Sequence, residues 1–287
     1  MQLRHIAQRD GRLSTFLKQE LGLSTGLMNR LKWGQKLYVN GIPRHADHPV
    51  QTGDQIVAIL DDEPPEYPAQ QGPLTILYED DHILCVDKPA GMLIHPSHKV
   101  NTGTLANYVL GYYQKTGQTS AFHPVTRLDR DTFGVVLLAK NAHIHGLLNT
   151  LHSQGALQKT YQALVLGTPN PAQGTVDAPI ARLPLPSLLR TVDPAGKPSL
   201  TEYAVADVFD GYSKLTLRPI TGRTHQLRVH CAHLGHPILG DPQYGDPASL
   251  ALSENLQIRT QALCAVKLEF PHPVTGELMT IHTQCSL

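Results

Sequence analysis

Two short segments concentrate the residue types that do chemistry. The first is Thr224-His225-Gln226-Leu227-Arg228-Val229-His230-Cys231-Ala232-His233-Leu234-Gly235-His236, preceded by Arg223. Its histidines invite a metal reading, but no two of them are spaced i,i+4, and on a helix His225 and His230 would lie about 140° apart. Histidines that cap, stack or sit at the surface account for the pattern without a metal. Cys85, Cys231, Cys264 and Cys285 are scattered without metal-ligand pair spacing, so neither a metal site nor a disulfide framework is expected. Arg223 and Arg228 bracket the first turn of this predicted helix, where free backbone N–H groups and the helix dipole already favour an anion. A phosphate or a carboxylate fits there; the competing reading is a pair of surface arginines bonded to any nearby acid.

The second segment is His123-Pro124-Val125-Thr126-Arg127-Leu128-Asp129-Arg130-Asp131-Thr132-Phe133-Gly134, directly before an apolar strand. In a strand Asp129 and Asp131 would share a face with side chains about 7 Å apart, close to the spacing of a retaining glycosidase pair. Asp131-Thr132 fits a turn into the strand better. Pattern alone leaves Asp129 either a turn residue or a nucleophile. No phosphate-cradling glycine loop, serine nucleophile elbow or metalloprotease helix occurs, which removes those reactions.

The elements that must position these residues follow from composition and periodicity. With 287 residues, 41% of them hydrophobic, the chain is long enough for one large domain or two unequal ones, and disorder throughout is excluded. The longest apolar run is the seven residues Phe133 to Ala139, too short for a membrane span, and the N-terminus lacks a signal peptide's apolar core. A reduced, cytoplasmic protein with no membrane partner is expected. Lys plus Arg equals Asp plus Glu at 24 each, so a nucleic-acid partner has to be argued locally. Residues 1–59 carry eight Lys/Arg against four Asp/Glu. An acidic, proline-rich stretch, 61–72, then reads as a linker, dividing an N-terminal module (1–60) from a larger domain (73–287).

In the module, Leu13, Phe16, Leu17 and Leu21 predict one short helix, and Leu27, Met28 and Leu31 a second, capped by Ser24. Asn40-Gly41 supplies a turn with positive φ, and Gly53-Asp54 leads into a strand over residues 55–60. Arg30 and Lys32 on the second helix, with Lys36 just beyond, are either a solvated face or phosphate contacts. Downstream, alternating strands dominate, with helices near 104–113, from Asn141, and over about 224–234. Strand pairs without crossover helices predict an α+β fold with a mixed, largely antiparallel sheet.

Residues 12–59 resemble the small alpha-L RNA-binding module of ribosomal small-subunit proteins. The larger domain resembles the large-subunit-rRNA-type pseudouridine synthases. The motifs that carry this resemblance are Ile76-Leu77-Tyr78-Glu79-Asp80-Asp81-His82-Ile83-Leu84, Asp87-Lys88-Pro89-Ala90-Gly91, Arg127-Leu128-Asp129, Lys159-Thr160-Tyr161, Gly222 to His230, Gly235 to Asp241, and His272 to Glu277, in the family's order over residues 75–280. The chain departs from the family's usual residues at Asp87, Thr126, Phe133 and Cys264, where the family has Asn, His, Ser and His. None of these is the position of the nucleophile.

The resemblance implies isomerisation of uridine to pseudouridine in structured RNA, ribosomal or transfer, without a cofactor and with the target nucleotide flipped into a pocket; a monomer is expected, although no sequence feature reports the oligomeric state. It implies that Asp129 is the catalytic carboxylate, that Arg228 pairs with it and fixes its rotamer, and that Tyr161 lies against the uracil and helps remove the proton from carbon 5. Arg127, Arg223 and Gln226, with Arg30, Lys32 and Lys36 of the module, are the candidate RNA contacts. A noncatalytic RNA-binding protein and a glycosidase are the alternatives.

Overall fold

The computed structural model describes residues 2–33, 36–60, 64–97, 100–284 and 287, with the backbone alone at Lys32 and Trp33. The expected contact from the Lys32 side chain, the first residues of the acidic stretch and Cys285 therefore lie outside the described residues. Among these residues no helix is long and apolar enough to cross a membrane.

Residues 2–60 enclose a core of their own, running from Ala7 to Leu60. β1 (Gln2–Ile6) and β2 (Gly11–Arg12) lead into α1 (Leu13–Gln19), which buries Leu13, Phe16 and Leu17 at helical spacing. The chain turns at Gly22, and the Ser24 hydroxyl accepts the Leu27 N–H at 3.2 Å to open α2 (Thr25–Trp33). β3 (Leu37–Val39) and β4 (Ile42–Pro43) are joined through Asn40-Gly41, both at positive φ, as the turn chemistry requires. β5 (Pro49–Val50) pairs with β2, and β6 (Gln55–Ile59) is central in a sheet of order β1-β6-β3-β4. The edge strand β1 went unread in the sequence because only alternate residues are half-buried, without a strong apolar alternation.

The remaining chain builds a ten-stranded sheet. β7 (Thr75–Glu79) and β8 (Ile83–Lys88) precede α3 (Leu105–Lys115), β9 (His123–Pro124), β10 (Phe133–Ala139), α4 (Ala142–Ser153) and β11 (Gln158–Leu166). β12 (Gln173–Asp177), the hairpin β13 (Ile180–Arg182) and β14 (Arg190–Val192), β15 (Leu200–Val208) and β16 (Tyr212–Pro219) follow. The chain closes with α5 (Gln226–His233), α6 (Pro247–Asn255), β17 (Leu263–Pro271) and β18 (Leu278–His282). The sheet order is β12-β15-β16-β11-β17-β10-β8-β7, with β18 on β17 and β9 on β10. β10 and β17 run parallel and the other pairings are antiparallel, which makes the fold α+β.

β8 and β10 are near-continuous apolar runs because both of their faces are covered. Leu84, Val86, Val136 and Leu138 meet α3 on one side, and Ile83, Cys85, Leu137 and Ala139 meet α4 on the other. The parallel contact between β10 and β17 spans only two residue pairs, Phe133 with Cys264 and Gly134 with Ala265. It joins the two halves of the sheet. Gly134 adopts φ +109, and a Cβ there would run into the Ala265 carbonyl, so the junction requires glycine. The segment carrying Asp129 enters β10 at this junction, and the Gln261 amide fixes its end by bonding the Thr132 hydroxyl.

The acidic, proline-rich stretch does not hang free over its described length. Pro68 O accepts from Asn107 Nδ2 at 2.8 Å, the Gln70 N–H donates to Asn107 O at 2.9 Å, and the Gln71 amide donates to Gly111 O at 2.8 Å. Gly111 lets the Gln70 carbonyl lie against α3 with no Cβ between. The composition that forbids helix here suits an extended strap. The module also approaches α4, since a Cβ on Gly22 would stand 2.9 Å from Leu147.

Candidate active site

At the junction of the two half-sheets lies an open cleft of about 890 Å³. Its walls come from the loop before β10, the strands β9 and β11, the outer face of α4 and the start of α5. Arg127, Arg130, Lys159, Arg223 and Arg228 line it, and Asp129 is its one carboxylate among the described residues. A chain with no net charge thus concentrates positive potential where a polyanion would enter.

Asp129 sits in irregular backbone between β9 and β10, its carboxylate about one-third exposed (29%). Arg228, from the first turn of α5, reaches it with Nη1 at 3.2 Å. The same guanidinium is anchored from behind: Nε and Nη2 each donate to Asp241 at 2.7 Å, Nη2 also donates to Gln243 Oε1 at 2.8 Å, and the Tyr244 ring lies 4.9 Å from its central carbon. Burial opposes the charge on Arg228, but the ion pairs with Asp241 and Asp129 outweigh it, and its pKa lies above the ordinary value. Asp241, fully buried, also accepts the N–H groups of Gln243 and Tyr244. This two-toothed clamp leaves one guanidinium N–H group directed at Asp129.

His225 precedes α5 with a left-handed backbone (φ 58°, ψ 19°), which costs a non-glycine residue roughly 1–2 kcal/mol. Its Nδ1 lies 2.8 Å from the Tyr244 hydroxyl, which also accepts the Arg190 N–H at 2.9 Å. The other ring nitrogen, Nε2, lies 3.9 Å from Asp129. Burial holds His225 below its ordinary pKa, opposed by Asp129, so the ring is neutral at pH 7. Tyr161 is buried on β11, and burial, then Asp129, push its phenol well up. A protonated hydroxyl on a flat ring faces the cleft. Lys88, fully buried, donates to the carbonyls of Pro89, Met92 and Arg130 at 2.9 Å each, tying the chain beside Asp129 to the end of β8.

Asp129, Arg228 and Tyr161 line the same cleft, and Arg127 and Arg223 are exposed at its rim. Gln226 is a correction. It is buried; its Oε1 accepts from Thr221 Oγ1 and the Arg223 N–H, and its Nε2 donates to Leu200 O and Thr201 Oγ1. Every donor and acceptor of the amide is spent on the fold, and none is left for RNA. Arg30 lies exposed on α2 and Lys36 half-buried after it. The glycosidase spacing also dissolves, because Asp131 turns to its neighbour Arg130 at 2.8 Å and does not line the cleft.

Two histidines of this segment serve separate bonds: His230 of α5 to Thr201 and Ala178 O, and His236, just beyond the helix, to Leu166 O. Among the described residues no three His, Cys, Asp or Glu side chains converge as metal ligands. Of the unusual positions, Thr126 Oγ1 accepts the Leu137 N–H at 2.9 Å, and Asp87 accepts Thr283 Oγ1 and the Gln284 N–H, pinning the end of the chain. Asp241, Gln243, Tyr244, His225 and Lys88 are site residues that the sequence does not single out as such. The signal available was a requirement: an arginine in a buried helix turn needs a buried carboxylate.

The family model described as RNA pseudouridylate synthase matches residues 82–233. An uncharacterised RNA pseudouridine synthase of Bacillus subtilis (YjbO) is 38% identical over 266 residues, 92% of each chain. The ribosomal large subunit pseudouridine synthase D of Pasteurella multocida is 37% identical over 258 residues, covering 86% of this chain and 78% of that one. Among solved structures, human RNA pseudouridylate synthase domain containing 1 superposes with a TM-score of 0.62 at 27% identity, over 76% of this chain and 86% of that one.

Proposed function

The chain belongs to the RNA pseudouridylate synthase family and converts uridine to pseudouridine within RNA, and from that premise we propose that Asp129 is its catalytic carboxylate and ribosomal RNA its substrate. The observation that carries the first part is the isolation of Asp129 as the one described carboxylate in a cationic cleft, held by Arg228 at 3.2 Å. The reaction breaks the bond from N1 to the ribose, turns the uracil and joins carbon 5 to the same ribose carbon. The proton of carbon 5 leaves and N1 gains one, so no redox or energy source enters. Asp129 begins the sequence, as nucleophile toward the nucleotide or as base toward a ribose proton. Arg228, fixed by Asp241 and Gln243, is the positioning residue that holds the carboxylate's rotamer. Tyr161 supplies a flat surface for the uracil ring and a hydroxyl beside it. Burial keeps that hydroxyl protonated, so in the free protein it is a hydrogen-bond donor and not a base toward carbon 5.

The ribosomal assignment rests on the relatives at about 37% identity that are named for the large ribosomal subunit. The module over residues 2–60, with its surplus of basic residues, is proposed to hold flanking RNA through Arg30, Lys32 and Lys36, while Arg127 and Arg223 contact the backbone at the rim. Mapping pseudouridines in ribosomal and transfer RNA from cells with and without the protein tests the assignment. Loss of a site in large-subunit ribosomal RNA is expected; loss confined to transfer RNA overturns it.

A further inference from the structure

The cleft has a second polar arm that the chemistry at Asp129 does not use. On α4, Ile144 and Leu148 face the core, while His145, Asn149 and His152, at i, i+4 and i+7, line the cleft. Opposite them stands Lys159 on β11. β11 shifts register against β17 between Thr160 and Tyr161, and Lys159 lies two residues from Tyr161, about 6.7 Å along the strand. Both line the cleft.

Lys159 differs from the other withdrawn lysine. Lys88 meets three carbonyl oxygens at 2.9 Å. For Lys159 the one hydrogen-bond partner among the described residues is His152 Nε2 at 3.3 Å, and no carboxylate offsets its charge. Burial pulls it down to about 8, so at neutral pH the ammonium is still charged. It has three N–H donors for one neutral acceptor, in a partly desolvated place. Such a group is a cost to the folded protein unless an anion completes it. His152, held below its ordinary pKa by burial and then by Lys159, accepts from the ammonium through Nε2 and carries its own proton on Nδ1.

We propose that Lys159, flanked by His152 and Asn149, is a binding subsite for one phosphodiester of the RNA strand next to the flipped uridine. The repeat between Tyr161 and Lys159 is comparable to one nucleotide step, so a strand whose uracil lies on Tyr161 brings an adjoining phosphate over the ammonium. The proposal rests on the RNA strand entering at Asp129. It identifies which basic group takes the backbone inside the cleft, as distinct from Arg127 and Arg223 at the rim.

The test is a scan of single neutral methylphosphonate linkages within two nucleotides of the target uridine, in a stem-loop that the wild-type protein converts. Conversion of the unmodified stem-loop checks the activity itself, so failure of the subsite and failure of the RNA reading stay distinct. Lys159→Met is expected to weaken RNA binding about 10-fold, the size of one charge-assisted contact. It should also make the slope of log affinity against log salt shallower by about 0.7. One linkage should weaken wild-type binding by a similar factor and leave Lys159→Met within about 2-fold, while losses at the other linkages multiply. Lys159→Arg should restore the slope, and Lys159→Met should melt no lower than wild type, because it removes a desolvated ammonium whose one partner is a neutral acceptor. Multiplying losses at every linkage, or unchanged affinity in Lys159→Met, would overturn the proposal. So would a melting temperature far below wild type with affinity lost equally at all linkages, which would make Lys159 a residue of the fold.

Discussion

Replacing Arg228 by lysine keeps the charge and removes the geometry. The guanidinium bonds Asp241 through Nε and Nη2 at 2.7 Å, Gln243 through Nη2 at 2.8 Å and Asp129 through Nη1 at 3.2 Å, so all three nitrogens are engaged. An ammonium on a shorter stem reaches one of them well. Asp241, fully buried, keeps its two backbone N–H donors but loses the fork, a loss of about 3–5 kcal/mol for a buried pair broken on one side. At roughly 2–4 °C per kcal/mol for a chain of this size, the melting temperature should fall by about 10 °C. Asp129 meanwhile loses the donor that orients it, and the single-turnover rate should drop about 10²–10³-fold, the usual cost of one preorganised charged donor. The assay is tritium release from RNA carrying 5-tritiated uridine, with enzyme in excess, at a temperature where the variant's own unfolding curve shows it fully folded. A rate within about 10-fold of wild type, with the expected fall in melting temperature, would show that Arg228 serves the fold and does not position the carboxylate.

Three further outcomes follow from particular contacts. Gln226→Leu should destabilise the protein by about 2–4 kcal/mol in urea unfolding, because Thr221, Thr201 and the Arg223 N–H lose their partner, and should leave the salt slope of RNA binding unchanged; a shallower slope with unaltered stability would return Gln226 to the RNA interface. Removing residues 1–63 should leave a folded catalytic unit whose salt slope is shallower by about two units, whereas extending the deletion to residue 72 should also lower the melting temperature by stripping Pro68 and Gln70 from α3; equal melting of the two truncations contradicts the strap. Tyr161→Phe should bind RNA within a few fold of wild type and slow single turnover about 10²-fold, while the wild-type rate shows no limb from phenolate below pH 9, since burial raises that phenol; an unaltered rate would leave the ring alone as the contribution.

What the sequence made legible follows from local physics. β8 and β10 were readable because both faces are covered, and the Asn40-Gly41 turn because its residues tolerate positive φ. α6 was not, because its buried positions include Ser249 and Ser253, so the apolar stripe that marks a helix is missing. At the site, Asp129 and Arg228 are 99 residues apart, and only the resemblance brought them together; their contact depends on the sheet junction that no local pattern encodes. The burial of Gln226 is illegible in sequence for a related reason. A glutamine between arginines at a helix start resembles a surface contact, and its burial under the Leu200–Thr201 backbone is a long-range fact. The left-handed His225 and the half-satisfied Lys159 have no sequence signature at all, since both depend on what surrounds them.

The most direct measurement of the central claim is pseudouridine formation by Asp129→Asn. Asp241 anchors Arg228 independently of Asp129, so the variant should fold, melt close to wild type and bind RNA within about 3-fold, with the amide filling the carboxylate's place. Turnover should fall below about one part in a thousand of wild type, equivalent to a barrier raised by about 4 kcal/mol or more. Retention of a hundredth of the wild-type rate or more, by purified protein with intact RNA binding, would contradict Asp129 as the group that begins the reaction.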